Sequence, residues 1–348
     1  MTQVGWALRC AVCGAPLDAR GDLFRCSDDH PGVLVHADTS HGRTKIIALR
    51  DERTSEELVL KIRTLSDHVT TDEQLERTTA NEAATIARVG RALGSGPYRV
   101  PELVAGAVPT RGLLMRRLHG RCLEDELYGA GAWLRPRVVG RGSKRAGEWL
   151  ARLVTTTEVG RMPLSPAETV ARAGEFLEEI GERGHPPAKV SRLADLIASA
   201  AEGTAGQETA RCIVHGDFRP RHVFLAADSV TVIDFEQASE GWAHEDAAFY
   251  LAALDGFLAQ HPRRRWSPGA RIAGLRFLAP YLSEAPPGWA TVGRLFRAAA
   301  MVRALNIDYR GKLARTKPRL FRSVVLPHYE RWFRAWERAE TSGRAARP

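Results

Sequence analysis

Two short apolar runs that end in charged residues constrain this chain more than any other feature of its sequence. Cys212-Ile-Val leads into His215-Gly-Asp217, and Val230-Thr-Val-Ile leads into Asp234, twelve residues after His222. Apolar runs of this length, bounded by polar residues, predict short buried strands. Charged side chains at the ends of such strands are typical of a site built at strand ends, so the two segments are predicted to carry the chemistry of the chain.

The residue types suit phosphoryl transfer, which needs little covalent help from a protein. It needs a carboxylate that orients the attacking hydroxyl and accepts its proton, a second carboxylate that binds magnesium, and a cation that fixes the nucleotide. Asp217, Asp234 and Lys61 supply these groups, and Lys61 lies in the predicted strand Glu57–Arg63.

At these residues the chain resembles the aminoglycoside and choline phosphotransferase-like kinases. Their HGDxxxxN loop and IDxxxA segment are matched by residues 215–222 and 233–238, and the resemblance runs from about Lys45 to Leu254. It implies an α+β, bilobal, protein-kinase-like fold with a small β-rich N-lobe and a large helical C-lobe. It also implies ATP and Mg²⁺ as cofactors.

The resemblance assigns a role to each matching residue. Asp217 would be the catalytic base, and Asp234 would bind magnesium. Lys61 would bind the α- and β-phosphates with Glu82 as its ion-pair partner. His215 would shape the catalytic loop without acting as a base, and Asp246 would brace that loop.

Two departures from the motifs of this family bear on the acceptor and on the metal. Histidine stands at position 222, where the family has an asparagine that binds the second metal, and an imidazole nitrogen suits magnesium less well than an oxygen does. The HxDxxxxH motif resembles that of kinases which phosphorylate the heptose of lipopolysaccharide. This resemblance implies that His222 can still be a magnesium ligand, and it favours a sugar-containing acceptor. The nucleotide loop has one glycine, Gly42, and no APE segment follows Phe235, so a small-molecule or glycan acceptor is favoured over a protein.

A separate cysteine pattern lies near the amino terminus. Cys10 and Cys13, then Cys26 and His30, have spacings that resemble a zinc ribbon and predict one structural zinc ion. His36 or His41 could replace His30 as the fourth ligand. The alternative is three cysteines without metal; a redox site is disfavoured because no βαβ pattern surrounds this CxxC.

The patterns divide the chain into a zinc-ribbon-like unit at 1–40, an N-lobe at 41–118 and a C-lobe at 119–348 that holds the catalytic loop and the metal segment. In the N-lobe they predict a helix over 71–93 and strands over 45–50, 57–63, 101–104 and 112–115. In the C-lobe they predict helices over 146–154, 167–180 and 190–201 and within 268–338.

Charge and hydropathy bear on partners and location. The net charge of +9 is spread out and accompanies no nucleic-acid-binding motif, so a nucleic-acid partner is not favoured. No signal peptide and no membrane-length apolar segment are recognised, which predicts a cytoplasmic protein. The competing hypothesis is a catalytically inactive kinase-like module that recruits a partner through its zinc unit and basic surface, with His222 as the discriminating position.

Overall fold

The structure is a computed structural model, and it describes most of the 348 residues of the chain. The described residues are 17–20, 23–26, 33–41, 44–51, 54–63, 71–104, 112–129, 135–260 and 268–341. They form two compact units. The first comprises the described residues up to Gly120 together with Thr231–Gln237, and the second comprises Arg121–Val230 and the described residues from Ala238 onward.

The strands are numbered along the chain. They are β1 (Leu17–Arg20), β2 (Leu23–Cys26), β3 (Val33–His41), β4 (Thr44–Asp51), β5 (Glu57–Arg63), β6 (Tyr98–Arg99), β7 (Gly112–Arg116), β8 (Arg121–Cys122), β9 (Gly160–Pro163), β10 (Glu208–Val214), β11 (Val223–Leu225), β12 (Val230–Val232) and β13 (Ser239–Trp242).

The first unit is built on an antiparallel sheet of six strands in the order β1-β2-β3-β4-β5-β7. In β5 the apolar residues Leu58, Leu60 and Ile62 are buried, and the intervening Lys61 is buried as well. The sheet therefore holds a lysine ammonium group in an enclosed environment, which requires a charged partner.

One long helix, α1 (Asp72–Leu93), accompanies this sheet. Thr71 caps its first turn, because the Thr71 hydroxyl accepts from the amide of Gln74 and the Gln74 side chain accepts from the amide of Thr71. The buried positions of α1 recur every three or four residues, and Glu82 falls among them.

The helices of the second unit are α2 (Leu123–Tyr128), α3 (Pro136–Thr156), α4 (Ala167–Glu182), α5 (Pro187–Glu202), α6 (Glu245–Gln260), α7 (Pro268–Glu284), α8 (Trp289–Arg310), α9 (Lys312–Thr316), α10 (Pro318–Leu320) and α11 (Leu326–Thr341). A π-helical turn over Phe321–Val325 connects the last two. None of the helices in the described part of the chain has the length and apolar character of a membrane span.

Helices α3 and α7 pack closely because glycines replace larger residues at their contact. A Cβ added to Gly147 would lie 2.1 Å from the carbonyl oxygen of Phe277 on α7, and one added to Gly140 would lie 3.1 Å from Ile272. Gly142 serves the same purpose toward Leu123 and Leu225. The glycines that weaken helix propensity in this segment are thus the residues that allow its packing.

Two small sheets carry the polar segment of the second unit. The strand β10 pairs antiparallel with β9 and β13, and β11 pairs antiparallel with β8. Between β10 and β11 the chain turns through Gly216, which has a φ of 77°, and then through a 3-10 turn at Pro220–His222. The buried Phe218 ring anchors this connection by stacking on Trp149 of α3, with the ring centroids 5.6 Å apart.

Most of the predicted elements are confirmed, with differences at their ends. The helix α3 begins ten residues before the predicted start at 146, because its glycine-rich first half is stabilised by packing. The strand predicted over 101–104 is wrong: Leu103 forms only an isolated bridge to Met115. Proline at position 101 has no amide hydrogen to donate to a ladder, which limits pairing there.

Candidate active site

In the first unit, Lys61 lies between two carboxylates. Its Nζ donates to Glu82 Oε1 at 2.9 Å and to Asp234 Oδ1 at 2.5 Å. Glu82 is 2% exposed, whereas the Asp234 side chain is 30% exposed. The structure thus brings three of the predicted site residues together, and the more exposed of the two carboxylates is the one predicted to bind metal.

Burial and charge act on Lys61 in opposite directions. Burial lowers the pKa of its ammonium group, but Glu82 and Asp234 raise it by more, so the pKa lies above its ordinary value. Lys61 therefore stays protonated around neutral pH.

A second cation, Arg63, extends this cluster on the same face of β5. Its guanidinium donates to Glu82 Oε2, and its Nη1 lies 2.5 Å from Glu236 Oε1. Arg63 is 4% exposed. Lys61 and Arg63 are two positions apart, with one residue between them, so they point to the same side of the strand.

Asp234 has an unusual backbone conformation. Its φ is 71°, in the left-handed region that only glycine adopts freely and that aspartate and asparagine tolerate better than most residues do. Strained residues of this kind cluster at functional sites. A substitution here changes the backbone as well as the carboxylate, which matters for the choice of variants.

In the second unit, Asp246 at the start of α6 holds the turn after β10. Its Oδ1 accepts from the amide of Gly216 at 2.9 Å, and its Oδ2 accepts from the amide of His215. The buried His215 ring accepts the amide of Asp217 at Nδ1, 3.2 Å away. These contacts fix the backbone that presents Asp217, and burial raises the pKa of Asp246.

The Asp217 side chain is 8% exposed and has guanidinium groups around it. Arg219 donates to its Oδ2, Arg221 Nη2 lies 3.8 Å from the same oxygen, and Arg303 Nη2 of α8 lies 3.7 Å from Oδ1. Within the described part of the chain, Oδ1 accepts no hydrogen bond. A buried carboxylate oxygen of this kind can accept the hydrogen of a substrate hydroxyl.

Both ring nitrogens of His222 have partners in the second unit. Nε2 accepts a hydrogen bond from Nε of Arg221 at 3.0 Å, so in the neutral ring the hydrogen is on Nδ1. Nδ1 donates it to the carbonyl oxygen of Asp217 at 2.8 Å. His222 therefore stabilises the backbone of Asp217. A metal could use Nε2 only after Arg221 releases it.

The predicted zinc ligands fall largely outside the described residues. This holds for Cys10, Cys13 and His30, whereas Cys26 ends β2. Gly42 of the predicted nucleotide loop also lies outside the described residues, and the alternative ligand positions His36 and His41 lie in β3.

Three arginines of these clusters were not identified from the sequence. Arg63 could have been found, since it lies two residues after Lys61 in a strand. Arg219 lies within the HxDxxxxH motif, but its pairing with Asp217 depends on the turn. Arg303 is separated from Asp217 by more than eighty residues and carries no local signal.

A β-rich unit with a lysine–glutamate–aspartate cluster and a helical unit with a braced HGD turn define a kinase-like phosphotransferase. The sequence profile described as the phosphotransferase enzyme family matches residues 44–281, more than half of the chain. The chain belongs to this family. It is an ATP-dependent phosphotransferase that phosphorylates an alcohol group, and enzymes of the family use ATP with a divalent cation.

Two solved structures are similar to this chain, and the first of them supports the fold. The amicoumacin kinase hAmiN, in complex with AMP-PNP, Ca²⁺ and Ami, is 14% identical, with a TM-score of 0.56 over 84% of this chain and 86% of that chain. The macrolide 2'-phosphotransferase MphH from Brachybacterium faecium is 15% identical, with a TM-score of 0.49 over 83% and 89% of the two chains. Comparison with curated protein sequences finds no match. The α+β kinase-like fold, with a β-rich amino-terminal part and a helical carboxy-terminal part, is thus confirmed.

Proposed function

We propose that the chain transfers the γ-phosphate of ATP to a hydroxyl group of a small-molecule or sugar-containing acceptor. The acceptor oxygen would form a bond to the γ-phosphorus, the bond from that phosphorus to the β-phosphate oxygen would break, and the hydroxyl proton would pass to Asp217. ADP would leave. The observation that carries this proposal is the buried Asp217 carboxylate, held by a braced turn and with Oδ1 available to a hydrogen-bond donor.

The first-unit cluster supports the nucleotide half of the proposal. Lys61 supplies a positive charge for the α- and β-phosphates and is oriented by Glu82. Asp234 offers a hard carboxylate oxygen on a partly exposed side chain, which fits the oxygen preference of Mg²⁺. The magnesium ion, when bound, would neutralise charge on the phosphates.

The acceptor class rests on the family and on its motif. The solved relative hAmiN is an amicoumacin kinase, which phosphorylates a small molecule by its name. The HxDxxxxH form of the loop adds the expectation of a sugar-containing acceptor.

The test is ADP release with MgATP across sugars, nucleosides, aminoglycosides and amino alcohols, in the parent chain and in Asp217→Asn. We expect the variant to lose about 10²–10⁴-fold in rate, because the hydroxyl loses its proton acceptor. Asp195→Asn, which neutralises an exposed carboxylate on α5, is the matched control and should keep full activity. Equal rates in the two variants would contradict the assignment of Asp217.

Substitutions of Asp234 and His222 test whether each side chain binds magnesium. Asp234→Asn tolerates the left-handed backbone and should raise the magnesium concentration required for activity. If His222 binds magnesium, His222→Asn should preserve or raise activity and His222→Ala should weaken its metal dependence. Full activity of His222→Ala at limiting magnesium would remove His222 from the metal site.

The amino-terminal cysteines are proposed to hold one structural zinc ion through Cys10, Cys13, Cys26 and His30. Metal analysis of the purified chain should find about one zinc per chain. A folded, zinc-free chain whose three thiols react rapidly would contradict this site.

A further inference from the structure

Two cations of β5 in the first unit each bind Glu82 and one further carboxylate. Lys61 Nζ donates to Glu82 at 2.9 Å and to Asp234 at 2.5 Å. Arg63 Nη2 donates to Oε2 of Glu82, and its Nη1 lies 2.5 Å from Glu236 Oε1. Asp234 and Glu236 are together called the acidic turn. Two bridges therefore run in parallel from α1, through β5, to the acidic turn.

The spacing of these residues explains why two bridges form. Lys61 and Arg63 are two positions apart on a strand, so both project to the side on which Glu82 lies. Asp234 and Glu236 are also two positions apart, and the 3-10 turn that includes Glu236 lies against α1. Glu82 is buried and contacts both cations. One buried carboxylate thus aligns two ion pairs, each made of a cation of β5 and an acid of the acidic turn.

The two ion pairs differ in what the proposed function requires of them. Lys61 would bind phosphate oxygens and Asp234 would bind magnesium, so these two side chains would exchange each other for ligand atoms. The proposed function gives neither Arg63 nor Glu236 a ligand of its own. Arg63 is 4% exposed, and both of its terminal nitrogens face carboxylates. The pair of Arg63 with Glu236 can therefore stay closed while the pair of Lys61 with Asp234 opens.

The backbone of the acidic turn is strained at Asp234. Its φ of 71° lies in the left-handed region, which a residue other than glycine keeps only when its surroundings hold it there. Part of that support comes from Phe235, whose side chain is buried. Lys61 holds the carboxylate of Asp234 itself, so the support weakens when Lys61 binds a phosphate. A second ion pair, two positions further along the chain, keeps the strained conformation in place.

We propose that Arg63 is a positioning residue, which holds the acidic turn on β5 through Glu236 while a nucleotide and its metal are bound. The inference rests on the proposed phosphotransferase function and adds a residue to it. Arginine suits this role because its planar guanidinium binds two carboxylates at once through separate nitrogens, whereas a lysine ammonium is a single point charge. The effect of Arg63 falls on the orientation of Asp234, and so on the affinity for magnesium.

The experiment measures ADP binding to the full chain by calorimetry, once without metal and once over a range of magnesium concentrations. Glu236→Gln breaks the pair with Arg63 at a side chain that is 40% exposed, so the chain should still fold. We expect this variant to need about three- to tenfold more magnesium for half-maximal tight binding, because the lost contact joins two charged groups and is partly screened. Metal-free ADP binding should not weaken, since Lys61 keeps its contact with Glu82.

A double-variant cycle separates positioning by Arg63 from direct metal binding by Glu236. Arg63→Lys keeps the buried charge beside Glu82 but has no second nitrogen for Glu236. If Arg63 acts through Glu236, Arg63→Lys and Glu236→Gln should have similar effects, and the double variant should lose no more than either one. If Glu236 itself binds magnesium, Glu236→Gln should keep its full effect in the Arg63→Lys chain. Arg50→Gln and Glu76→Gln change exposed charges of the first unit and should leave both titrations unchanged.

The outcomes distinguish the role of Arg63 from the proposed function. Additive effects of the two substitutions, or magnesium titrations equal to that of the parent chain, would overturn the role of Arg63 and leave the proposed function standing. Equal weakening of ADP binding with and without magnesium would also overturn it, because a variant that only loosens the fold weakens both. Absence of magnesium-dependent ADP binding in the parent chain would overturn the proposed function and this inference with it.

Discussion

Glu82 stabilises two buried cations at once, and replacing it with glutamine tests that arrangement. Glutamine keeps the shape of the side chain and removes its charge, so Lys61 and Arg63 lose their buried partner. Breaking a fully buried ion pair costs about 3–5 kcal/mol. Here each cation keeps a second partner, Asp234 or Glu236, whose side chains are 30% and 40% exposed and therefore screened. We expect a loss of about 2–3 kcal/mol in the free energy of opening of the first unit.

Hydrogen exchange of the amides in β5 and α1 measures this free energy without requiring the two units to unfold together. Glu76→Gln is the matched control, because Glu76 is an exposed carboxylate on the same helix. Its effect should stay within about 0.5 kcal/mol. The double variant Lys61→Met/Glu82→Gln should lose less than the sum of the two single variants, because Lys61→Met removes the cation that Glu82 neutralises.

Two results would refute this reasoning. One is an equal effect of Glu82→Gln and Glu76→Gln on exchange in α1. The other is strict additivity of the Lys61 and Glu82 substitutions, which would mean that their 2.9 Å contact contributes nothing to stability.

Gly147→Ala should lower stability by about 1–3 kcal/mol in thermal or urea unfolding, because the added Cβ would overlap the carbonyl oxygen of Phe277. Gly174→Ala on α4 is the control: its Cβ would enter open space, so the substitution should be neutral or stabilising. Thr71→Ala should cost about 1 kcal/mol, seen as faster exchange in the first turn of α1, through loss of the capping box. Burial raises the pKa of Asp308 to about 7. Between pH about 4 and 7 this carboxyl therefore binds its proton more completely in the folded chain than in the unfolded chain. Its contribution makes stability fall as pH rises through that window. Asp308→Asn should flatten that decline in urea unfolding measured at each pH, and an unchanged slope would count against the raised pKa of Asp308.

The elements whose signals are local could be predicted without the structure. The apolar alternation of β5, the capping and periodicity of α1 and the short strand before His215 depend on neighbouring residues, which is why they could be predicted. The turn after β10 could also be predicted, because histidine, glycine and aspartate at fixed spacing restrict the backbone and place a carboxylate at its end, whereas the catalytic role of Asp217 stays a prediction. Helix α3 was predicted too short, since glycine lowers helix propensity and only packing against α7 compensates for it.

Which charged residues meet depends on how the chain folds. The sequence offers Glu73, Glu76 and Glu82 on one helix, and burial selects Glu82 because it falls in the stripe that packs inward. The segment 231–237 joins the first unit, so Asp234 reaches a lysine that precedes it by more than 170 residues. Arg303 reaches Asp217 from α8 in the same way. Such contacts depend on chain topology, and no property of neighbouring residues encodes a distance between segments so far apart in the chain.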